Sequence, residues 1–291
     1  MSSLKEEELI SILPKNGPTV KEVKKYLEKY NDEFIVIKCG GSVLVDRNLF
    51  KIFIEDVAVL NKLGFNPIIV HGGGKRINNK LDQLNIKSNF INGLRVTDKN
   101  TINIVEEVLI EFNKEIVAAL KNLSCKTRRI TSKEYNIITV KPESDNLGFV
   151  GIPTHIKTNV LKEIIKVNEV PVVAPLGLDE NNQTFNINAD TVAGSVAKEL
   201  RARRLMIISD VEGVLDSEKR LMPEINSNEA KKLIDHEIIS GGMIPKINNC
   251  LDVAKNGVKG VCIIDGRKNH SLLFELLSDK GSGTLIREWK I

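Results

Sequence analysis

Two glycine clusters stand where the chain could bind an anion. A pair at 40–41 follows the apolar run FIVIK (34–38), and a triplet at 72–74 follows PIIV (67–70). A helical pattern comes after each cluster. Glycine lets the backbone approach a phosphate closely, and the free N–H groups of a helix start favour its charge. One such unit could be a simple tight turn, but two at neighbouring strand ends can face one site, because open α/β sheets bind ligands beyond the carboxyl ends of their strands.

Three charged side chains could serve the same site. Lys38 ends the first apolar run immediately before its glycines, and Lys246 begins a helical pattern after GGMIP (241–245). A lysine in a first helical turn opposes the helix dipole, which suggests another reason for its presence. Asp190 lies in the first turn of a further helix. The alternatives are a solvated lysine at a strand end and a simple helix-start charge, so these residues alone leave the assignment open.

The common nucleotide-binding motifs are absent. A Walker A motif requires G-x-x-x-x-G-K-[S/T], but Arg76 follows Gly74-Lys75, and Ile69 occupies the first glycine position. No G-x-G-x-x-G follows a strand, and the protein-kinase signature set is missing. The sequence therefore indicates neither a common P-loop enzyme nor a Rossmann dehydrogenase.

Apolar strands alternate with amphipathic helices, which predicts an α/β fold with a mainly parallel sheet covered on both faces. Strands are predicted at 34–38, 67–70, 170–175, 184–188, 204–209 and 260–265, and a hairpin region at 127–151. Helices are predicted at 21–30, 49–63, 97–120, 157–168, 189–200, 227–235 and 243–255, from about 269, and after the glycine triplet. Residues 1–31 are interpreted as a separate helical arm, and a change of motif type divides the rest near 175–180.

Composition and charge argue against several classes of protein. Apolar residues make up 42% of the 291 residues, an ordinary share for a globular protein, and no run of about 18 apolar residues could span a bilayer. The net charge of +4 comes from interspersed charges, which indicates a solvated surface rather than a nucleic-acid interface. The four cysteines form no C-x-x-C pair and lie near no histidine at metal-ligand spacing, so no structural metal is expected and a reducing compartment fits. The first residues lack the order of a secretion signal. We therefore expect a cytoplasmic protein without membrane or nucleic-acid partners.

Together these segments resemble the acetylglutamate kinases of the amino-acid kinase family. The similarity covers nearly everything from Phe34 to Ile286. The motifs that carry it are VIKCGG (36–41), VHGGGKRIN (70–78), NGLRVTD (92–98), NKEIVAAL (113–120), LGFVG (147–151), FNINADTVAG (185–194), SDVEGVL (209–215), GGMIPKI (241–247), IIDGR (263–267) and GSGTLI (281–286). The combination of NGLRVTD with NINADTVAG points to this subfamily rather than to carbamate, aspartate or uridylate kinases.

The resemblance implies a fold and a reaction. The fold is a three-layer α/β/α sandwich in two lobes, with 32–176 for acetylglutamate binding and dimerisation and 177–291 for ATP binding. The reaction is the ATP-dependent phosphorylation of the side-chain carboxylate of N-acetyl-L-glutamate to N-acetyl-L-glutamyl 5-phosphate, the second step of arginine biosynthesis. A carboxylate with a pKa of about 4.3 is already ionised at neutral pH, so no general base is needed. Mg²⁺ would arrive on ATP, held mainly by the phosphates.

The resemblance also implies roles for individual residues. Lys38 and Lys246 would stabilise charge on the transferring phosphoryl group, and Asp190 would organise both lysines. Groups that hold the substrate or the phosphoryl oxygens are expected at Gly41, Gly73, Gly74, Arg95 and Asn186. Contacts to ATP are expected from Asp210, Val211, Glu212, Gly213, Val214, Leu215, Ile238, Ile239 and Ser240.

The N-terminal arm resembles the extra helix of arginine-regulated members, which joins dimers into a hexameric ring. Tyr26 stands at the same distance before Lys38 as the tyrosine that lines the arginine site in such members, and Glu275, Gly281 and Gly283 match other parts of that site. The resemblance thus implies a hexamer and feedback inhibition by L-arginine, with a merely packing arm as the alternative. A PII-type signal protein is a further candidate partner, and the plastid stroma is an alternative location to the bacterial cytoplasm.

Two other functions stay open. A related amino-acid kinase could act on another acidic substrate, such as aspartate or an aminoadipate derivative, although Arg95 and Asn186 argue against it. A non-catalytic arginine sensor could use the same fold, because one fold hosts many functions. Such a sensor is expected to lose a charged site residue, yet Lys38, Asp190 and Lys246 are all present.

Overall fold

An eight-stranded sheet lies at the centre of the fold in the computed structural model, which describes residues 4–288. In chain order the strands are β1 (Phe34–Cys39), β2 (Asn66–His71), β3 (Phe90–Ile91), β4 (Leu94–Arg95), β5 (Thr127–Ile130), β6 (Ile138–Pro142), β7 (Gly151–Ile156), β8 (Val170–Val173), β9 (Leu176–Leu178), β10 (Thr184–Asn186), β11 (Arg204–Ser209), β12 (Glu224–Ile225), β13 (Val261–Asp265) and β14 (Gly283–Ile286). The helices are α1 (Glu6–Ile12), α2 (Val20–Tyr30), α3 (Arg47–Lys62), α4 (Gly74–Gln83), α5 (Lys99–Asn122), α6 (Thr158–Lys166), α7 (Ala189–Leu200), α8 (Ser227–Asp235), α9 (Met243–Lys255) and α10 (Ser271–Leu277).

The order of the central sheet brings the two halves of the chain together. The order is β12-β14-β13-β11-β1-β2-β8-β5, and every neighbouring pair is parallel except β13 with β14. Strands that end before residue 176 occupy one side and strands that begin after residue 203 occupy the other, and they meet where β1 pairs with β11. Parallel strands end at the same edge of a sheet, so the loops after β1, β2 and β11 lie side by side. The predicted mainly parallel sheet is confirmed.

Alternate side chains of the central sheet fill two separate cores. On β1, Val36 packs with residues of α7 and α9, whereas Ile35 and Ile37 pack on the opposite face with residues of α3, α5 and α10. Successive side chains of a strand point to opposite faces, so apolar strands without polar alternation need helices on both sides. The sheet is therefore the middle layer of an α/β/α sandwich.

The long helices begin at side chains that cap them. Asp46, Asp98 and Asn188 accept hydrogen bonds from the first free N–H groups of α3, α5 and α7. These residue types are strongly preferred at this position because they satisfy donors that the helix itself leaves unpaired. The predicted helices at 189–200, 227–235 and 243–255 match the structure in full. None of the helices within residues 4–288 combines the length and hydropathy needed to cross a bilayer.

The prediction of a hairpin at 127–151 is wrong in its first part. β5 joins the edge of the central sheet, parallel to β8, and the hairpin instead pairs β6 with β7. This hairpin belongs to a second sheet of order β10-β9-β6-β7. Short β-rich runs bounded by turns look alike in sequence. A local pattern therefore does not show that β5 pairs with β8, which lies far along the chain. β9 crosses the predicted lobe boundary at 176/177, so the division into lobes stays a prediction.

The N-terminal arm packs against the body of the chain rather than extending away from it. It contains α1, which the sequence analysis did not predict, as well as α2, and α2 contacts α10. Leu9 and Val23 are fully buried, and the Tyr30 ring lies 5.6 Å from the ring of Phe65. The buried residues of α2, Val23 and Tyr30, thus find their packing surface within the same chain.

Replacing Leu9 tests whether the arm contributes to the stability of the fold. Leu9→Ala should lower the free energy of unfolding by about 2–5 kcal/mol, because it opens a cavity at a buried position. Ile10→Ala is the matched control on the same helix, since Ile10 is 62% exposed and its change should stay within about 0.5 kcal/mol. Urea denaturation measures both. Equal effects of the two substitutions would contradict the packing of the arm.

Candidate functional site

Asp190 holds the two predicted lysines together. The Nζ atom of Lys38 lies 2.8 Å from Asp190 Oδ1, and the Nζ atom of Lys246 lies 2.7 Å from Asp190 Oδ2. The three side chains come from the end of β1, the first turn of α7 and the first turn of α9. All three are largely shielded, with exposures of 12%, 20% and 18% for Lys38, Asp190 and Lys246. The structure thus brings together the three charged side chains that the sequence analysis singled out, and their roles stay predictions.

Close packing of α7 on α9 makes this meeting feasible. A Cβ atom added at Gly194 would lie 2.9 Å from Val253 Cγ2, so the glycine lets the two helices approach. The side-chain amide of Asn249 donates a hydrogen bond to the carbonyl of Asp190 at 3.2 Å. The first turns of both helices are therefore held side by side, with their charged residues at the same end.

The charge of Asp190 is stabilised by its partners. Burial alone would raise the pKa of this carboxyl group, but the positive charges and hydrogen bonds of Lys38 and Lys246 outweigh burial and lower the pKa to about 2. The carboxylate is thus ionised at neutral pH. Two ammonium groups against one carboxylate leave the cluster with a net positive charge, which suits a polyanionic ligand.

The turn after β1 is shaped by its two glycines. Gly41 has a φ of +66°, and a Cβ atom there would lie 2.4 Å from Asp210 Oδ1. A Cβ atom at Gly40 would lie 2.4 Å from Lys38 Nζ, so a side chain would displace the lysine. The backbone N–H of Ser42 donates to Asp210 Oδ1 at 2.7 Å. Asp210 follows β11, so this bond ties the two halves of the chain together across the centre of the sheet.

The turn after β2 leads directly into α4. Gly74 is the first residue of that helix, and a Cβ atom at Gly73 would lie 2.4 Å from Leu109 Cδ2. Gly72 N–H donates to the carbonyl of Cys39 at 2.8 Å, which holds this turn beside the end of β1. The start of α4, with its unpaired N–H groups, therefore faces the same region as Lys38.

These residues line one cavity of about 290 Å³. Its walls include Lys38, Gly41, Gly73, Gly74, Arg95, Asn186 and Asp190. Seven of the eight residues predicted for catalysis or substrate binding thus share a single cavity, and the eighth, Lys246, is joined to it through Asp190. Their individual roles remain predictions.

Arg95 is a buried cation in the wall of this cavity. Its guanidinium donates to Ser88 Oγ and to Asn78 Oδ1, both at 2.7 Å, and it packs 4.8 Å from the ring of Phe90. Burial lowers the pKa of Arg95 below its ordinary value. No carboxylate lies within ion-pair distance of it among residues 4–288, so an anionic ligand could supply the missing counter-charge.

Asn186 lines the same cavity, at the end of β10. Its side-chain amide donates to Thr97 Oγ1 at 3.3 Å, and its backbone N–H donates to the carbonyl of Phe149. β10 belongs to the second sheet, so the hairpin sheet brings this amide to the cavity. The side-chain carbonyl of Asn186 stays available to accept a hydrogen bond from a ligand.

Sequence reasoning missed Lys75, which also lines the cavity. Its Nζ atom lies 3.3 Å from both Ser42 Oγ and Asp210 Oδ2. Lys75 is the second residue of α4, where a positive charge opposes the helix dipole. The same signal drew attention to Lys246 and could have identified Lys75.

The residues predicted to contact ATP occupy two segments of the second half. Residues 210–215 follow β11, and 238–240 precede α9. Val214 and Ile239 are buried, and the N–H of Val214 donates to Thr284 Oγ1 at 2.8 Å. Ile238 and Ser240 are exposed. Buried side chains can determine the shape of these segments, but they present little surface to a ligand. Direct contact with a ligand is therefore expected from the exposed residues. The ATP contacts of all nine residues remain predictions.

The residues predicted for an arginine site gather around the end of α10. The hydroxyl of Tyr26 donates to Asp279 Oδ1 at 2.5 Å, and this hydrogen bond, with burial, raises the pKa of Tyr26 to about 12. Glu275 Oε2 accepts hydrogen bonds from the N–H groups of Ser282 and Gly283 at 2.6 and 3.1 Å. A separate cavity of about 320 Å³ lies beside Gly281 and Gly283. The structure places these residues near one another without testing what they bind.

Comparison with known proteins gives consistent results. The family model described as "Amino acid kinase family" matches residues 33–265. An acetylglutamate kinase from Pelagibacter ubique (strain HTCC1062) is 81% identical over 288 residues, which covers 99% of this chain and 100% of that protein. An acetylglutamate kinase from Methylobacterium nodulans is 42% identical over 276 residues, covering 90% of this chain and 91% of that one.

Solved structures show the same fold at lower identity. N-acetylglutamate synthase from Neisseria gonorrhoeae, complexed with coenzyme A and N-acetyl-glutamate, superposes with a TM-score of 0.85 at 23% identity, covering 93% of this chain and 63% of that one. Giardia carbamate kinase superposes with a TM-score of 0.67 at 17% identity, covering 88% and 98%. At these identities the similarity concerns the fold alone.

The pH dependence of stability should reveal the charge on Asp190. Because the pKa is lowered from 3.8 to about 2, the stabilisation is fully present above the unfolded value and is lost as pH falls through the folded value. Asp190→Asn should therefore cost up to about 2 kcal/mol of unfolding free energy at pH 6, and this difference from wild type should shrink below about pH 4. Urea denaturation at several pH values measures it.

The control removes a carboxylate from the surface. Asp235→Asn, at an exposed position on α8, should change the unfolding free energy by less than about 0.5 kcal/mol at pH 6. A constant difference between wild type and Asp190→Asn from pH 7 down to pH 3 would contradict the ion-paired carboxylate.

Proposed function

The chain belongs to the amino acid kinase family and, within it, to the acetylglutamate kinases, and we propose that its central cavity is where the γ-phosphoryl group of ATP passes to the side-chain carboxylate of N-acetyl-L-glutamate. The product is N-acetyl-L-glutamyl 5-phosphate, and the reaction is the second step of arginine biosynthesis. The observation that carries the proposal is that Lys38 and Lys246 both form ion pairs with Asp190, beside two glycine turns.

The reaction demands positive charge more than it demands a base. A substrate carboxylate oxygen forms a bond to the γ-phosphorus, and the bond from phosphorus to the β,γ-bridging oxygen breaks, so ADP leaves with the electron pair. The carboxylate is ionised at neutral pH, and no proton has to be removed from it. The main obstacle is the approach of one anion to another, which fixed cations and N–H groups relieve.

The two lysines meet this demand from different elements, Lys38 from the end of β1 and Lys246 from the first turn of α9. Lys38 and Lys246 approach the phosphoryl group on its two sides, as its charge shifts from the acceptor towards the leaving oxygen. Asp190 prevents the two ammonium groups from moving apart, so they are in position before the substrates arrive. Gly41, Gly73 and Gly74 line the same cavity, and their N–H groups would bind the phosphoryl oxygens.

Arg95 and Asn186 would orient the acetylglutamate. Arg95 is a planar cation suited to a bidentate grip on a carboxylate, and its burial without an acidic partner makes it ready for one. Asn186 offers an amide across the cavity that can recognise the acetylated amino group. Together they leave the side-chain carboxylate directed towards Lys38.

ATP would bind on the second half of the chain, against the segments 210–215 and 238–240. Mg²⁺ is expected to be carried by the nucleotide phosphates and water. Among residues 4–288, no three acidic, histidine or cysteine side chains form a group that could hold a metal. At this end of the site, the chain would contact the phosphates through backbone N–H groups and positively charged side chains.

The division into two lobes, 32–176 and 177–291, would allow the site to close over its substrates. The acyl phosphate product hydrolyses readily, so excluding water has a clear benefit. Asp210 links the lobes through its bonds to Ser42 and Lys75. Ser42 follows β1 and Lys75 lies in α4, whereas Asp210 follows β11, so both contacts bridge the two predicted lobes.

Direct assay tests the proposed reaction. With ATP, Mg²⁺ and N-acetylglutamate, hydroxylamine should trap the acyl phosphate as a hydroxamate. Lys38→Met should lower kcat by about 10²–10³-fold, because it removes one preorganised cation from the migrating group. Steady-state kinetics of hydroxamate formation measure this. Faster reaction with aspartate or an aminoadipate derivative would instead support another acidic substrate.

A surface lysine provides the control for that substitution. Lys51→Met, on α3, removes the same charge at a side chain that is 76% exposed and should leave kcat within about twofold. A circular dichroism melt of each variant separates loss of chemistry from loss of fold. Equal kcat values for the two variants would contradict the proposed role of Lys38.

Regulation by L-arginine and assembly into a hexamer are a second part of the proposal. The support is the resemblance of the arm to that of arginine-regulated members, together with the hydrogen bonds of Tyr26 to Asp279 and of Glu275 to the N–H of Ser282, which itself lines the cavity at Gly281. A carboxylate such as that of Glu275 suits a guanidinium ligand. The dimer, the hexamer and a PII-type partner rest on the resemblance only, and the proposed cytoplasmic location rests on the cysteine pattern and the order of the first residues.

Arginine titrations test the regulatory site. Glu275→Gln should raise the arginine concentration for half-inhibition at least about tenfold, because it removes a charge-assisted hydrogen bond to the guanidinium. Lys21→Met, an exposed position on α2, should leave that concentration unchanged. Each variant is normalised to its own uninhibited rate. A wild-type enzyme that millimolar arginine does not inhibit would rule out the proposed regulation.

A further inference from the structure

His71 is a buried histidine that the proposed reaction does not use. It is the last residue of β2, directly before the glycine triplet, and it is fully buried. Its Nδ1 atom lies 3.0 Å from the carbonyl oxygen of Gly72, and its Nε2 atom lies 3.2 Å from Nδ2 of Asn113. The ring also meets the edge of Phe112 at 5.2 Å.

The surroundings of His71 select one form of the ring. The carbonyl of Gly72 can only accept a hydrogen bond, so Nδ1 must carry the proton. Asn113 is itself oriented by Val172, whose carbonyl accepts a hydrogen bond from Nδ2 at 2.9 Å. The amide therefore presents a donor to Nε2, which must be unprotonated. Burial lowers the pKa of His71 to about 4, which agrees with a neutral ring at pH 7.

The bond from His71 determines where the next peptide points. In a trans peptide the C=O and N–H groups point in opposite directions, and the chain has no cis peptide bond among residues 4–288. Holding the Gly72 carbonyl against the buried ring thus directs the N–H of Gly73 towards the cavity. Within the described part of the chain, His71 is the sole donor to that carbonyl, and the Gly73 N–H has no acceptor.

The next peptide, between Gly73 and Gly74, is oriented without a side-chain hydrogen bond to its carbonyl. The carbonyl of Gly73 accepts a hydrogen bond from Ile77 N–H at 2.8 Å in the first turn of α4, so the helix itself aims the N–H of Gly74 at the cavity. Gly72 precedes the helix, and glycine is the residue whose peptides rotate most freely. Without an anchor on its carbonyl, the Gly72–Gly73 peptide could turn its N–H away from the phosphoryl group.

We propose that His71, oriented by Asn113, is a positioning residue that aims the Gly73 N–H at the migrating phosphoryl group. The inference rests on the proposed function for its consequence, but the hydrogen-bonded ring is a property of the protein without substrates. It acts through the backbone and does not itself touch the substrates. Its contribution should therefore appear in the rate of phosphoryl transfer rather than in substrate binding.

Substitution of His71 by asparagine or leucine, two side chains of similar shape, tests the role of its Nδ1–H donor. Asparagine carries an N–H group on Cγ, where histidine carries Nδ1, whereas leucine has the same branching without any donor. His71→Leu should lower kcat about 10- to 100-fold with the KM values for ATP and acetylglutamate within about threefold. His71→Asn should restore kcat to within about fivefold of wild type. Equal losses in both variants, or a loss confined to KM, would overturn the proposal.

Nuclear magnetic resonance gives a readout that needs no activity. Long-range ¹H–¹⁵N spectra of the full-length wild-type protein distinguish the two neutral tautomers, and sequential resonance assignment of the same protein identifies the His71 ring among the four histidines. We expect protonation at Nδ1 that does not change between about pH 5.5 and 8. An Nε2–H tautomer or a ring that titrates in this range would overturn the proposal even if both variants fail to fold. A wild-type protein inactive on acetylglutamate, with the expected spectrum, would instead point to failure of the proposed function alone.

Discussion

The structure depends on keeping two ammonium groups close together in a shielded place. Two like charges near each other repel, and burial adds the cost of removing them from water. One carboxylate between them, that of Asp190, offsets both effects, and Lys38 and Lys246 each hold one of its oxygens. The three side chains together retain one net positive charge, which can stabilise the negative charge of a transferring phosphoryl group. An apolar group in place of Asp190 would leave two uncompensated cations.

The central sheet explains why three distant segments can meet there. β1 is paired on one side with β2 and on the other with β11, so the loops after all three strands end at one edge. Lys38 and both glycine turns come from the first half of the chain, whereas Asp190 and Lys246 come from helices of the second. Asp210, which follows β11, accepts a hydrogen bond from the N–H of Ser42 in the turn after β1, and this bond joins the two sides of the junction.

The glycine turns show how a site for anions can be built without charged side chains. Their N–H groups carry partial positive charge, but they are useful only if the peptide planes are held in the correct orientation. The first turn of α4 fixes the orientation of the peptide that carries the Gly74 N–H, and the neutral ring of His71 fixes the orientation of the peptide that carries the Gly73 N–H. Rigid elements behind the turns thus decide what the flexible residues present to a ligand.

Local sequence patterns determined a large part of this protein. The strand FIVIK with its glycines, the capped helix at 189–200 and the lysine at the start of α9 were all predictable, because strand periodicity, capping and glycine turns depend on neighbouring residues. Lys38, Asp190 and Lys246 were singled out from their positions in the sequence, and the roles expected of them came from a family resemblance. Only the tertiary structure decided that β5 joins the central sheet, that Leu9 is buried, and which partners hold Arg95 and His71. Those outcomes depend on strand register and burial between segments far apart in the chain, and no local pattern records them.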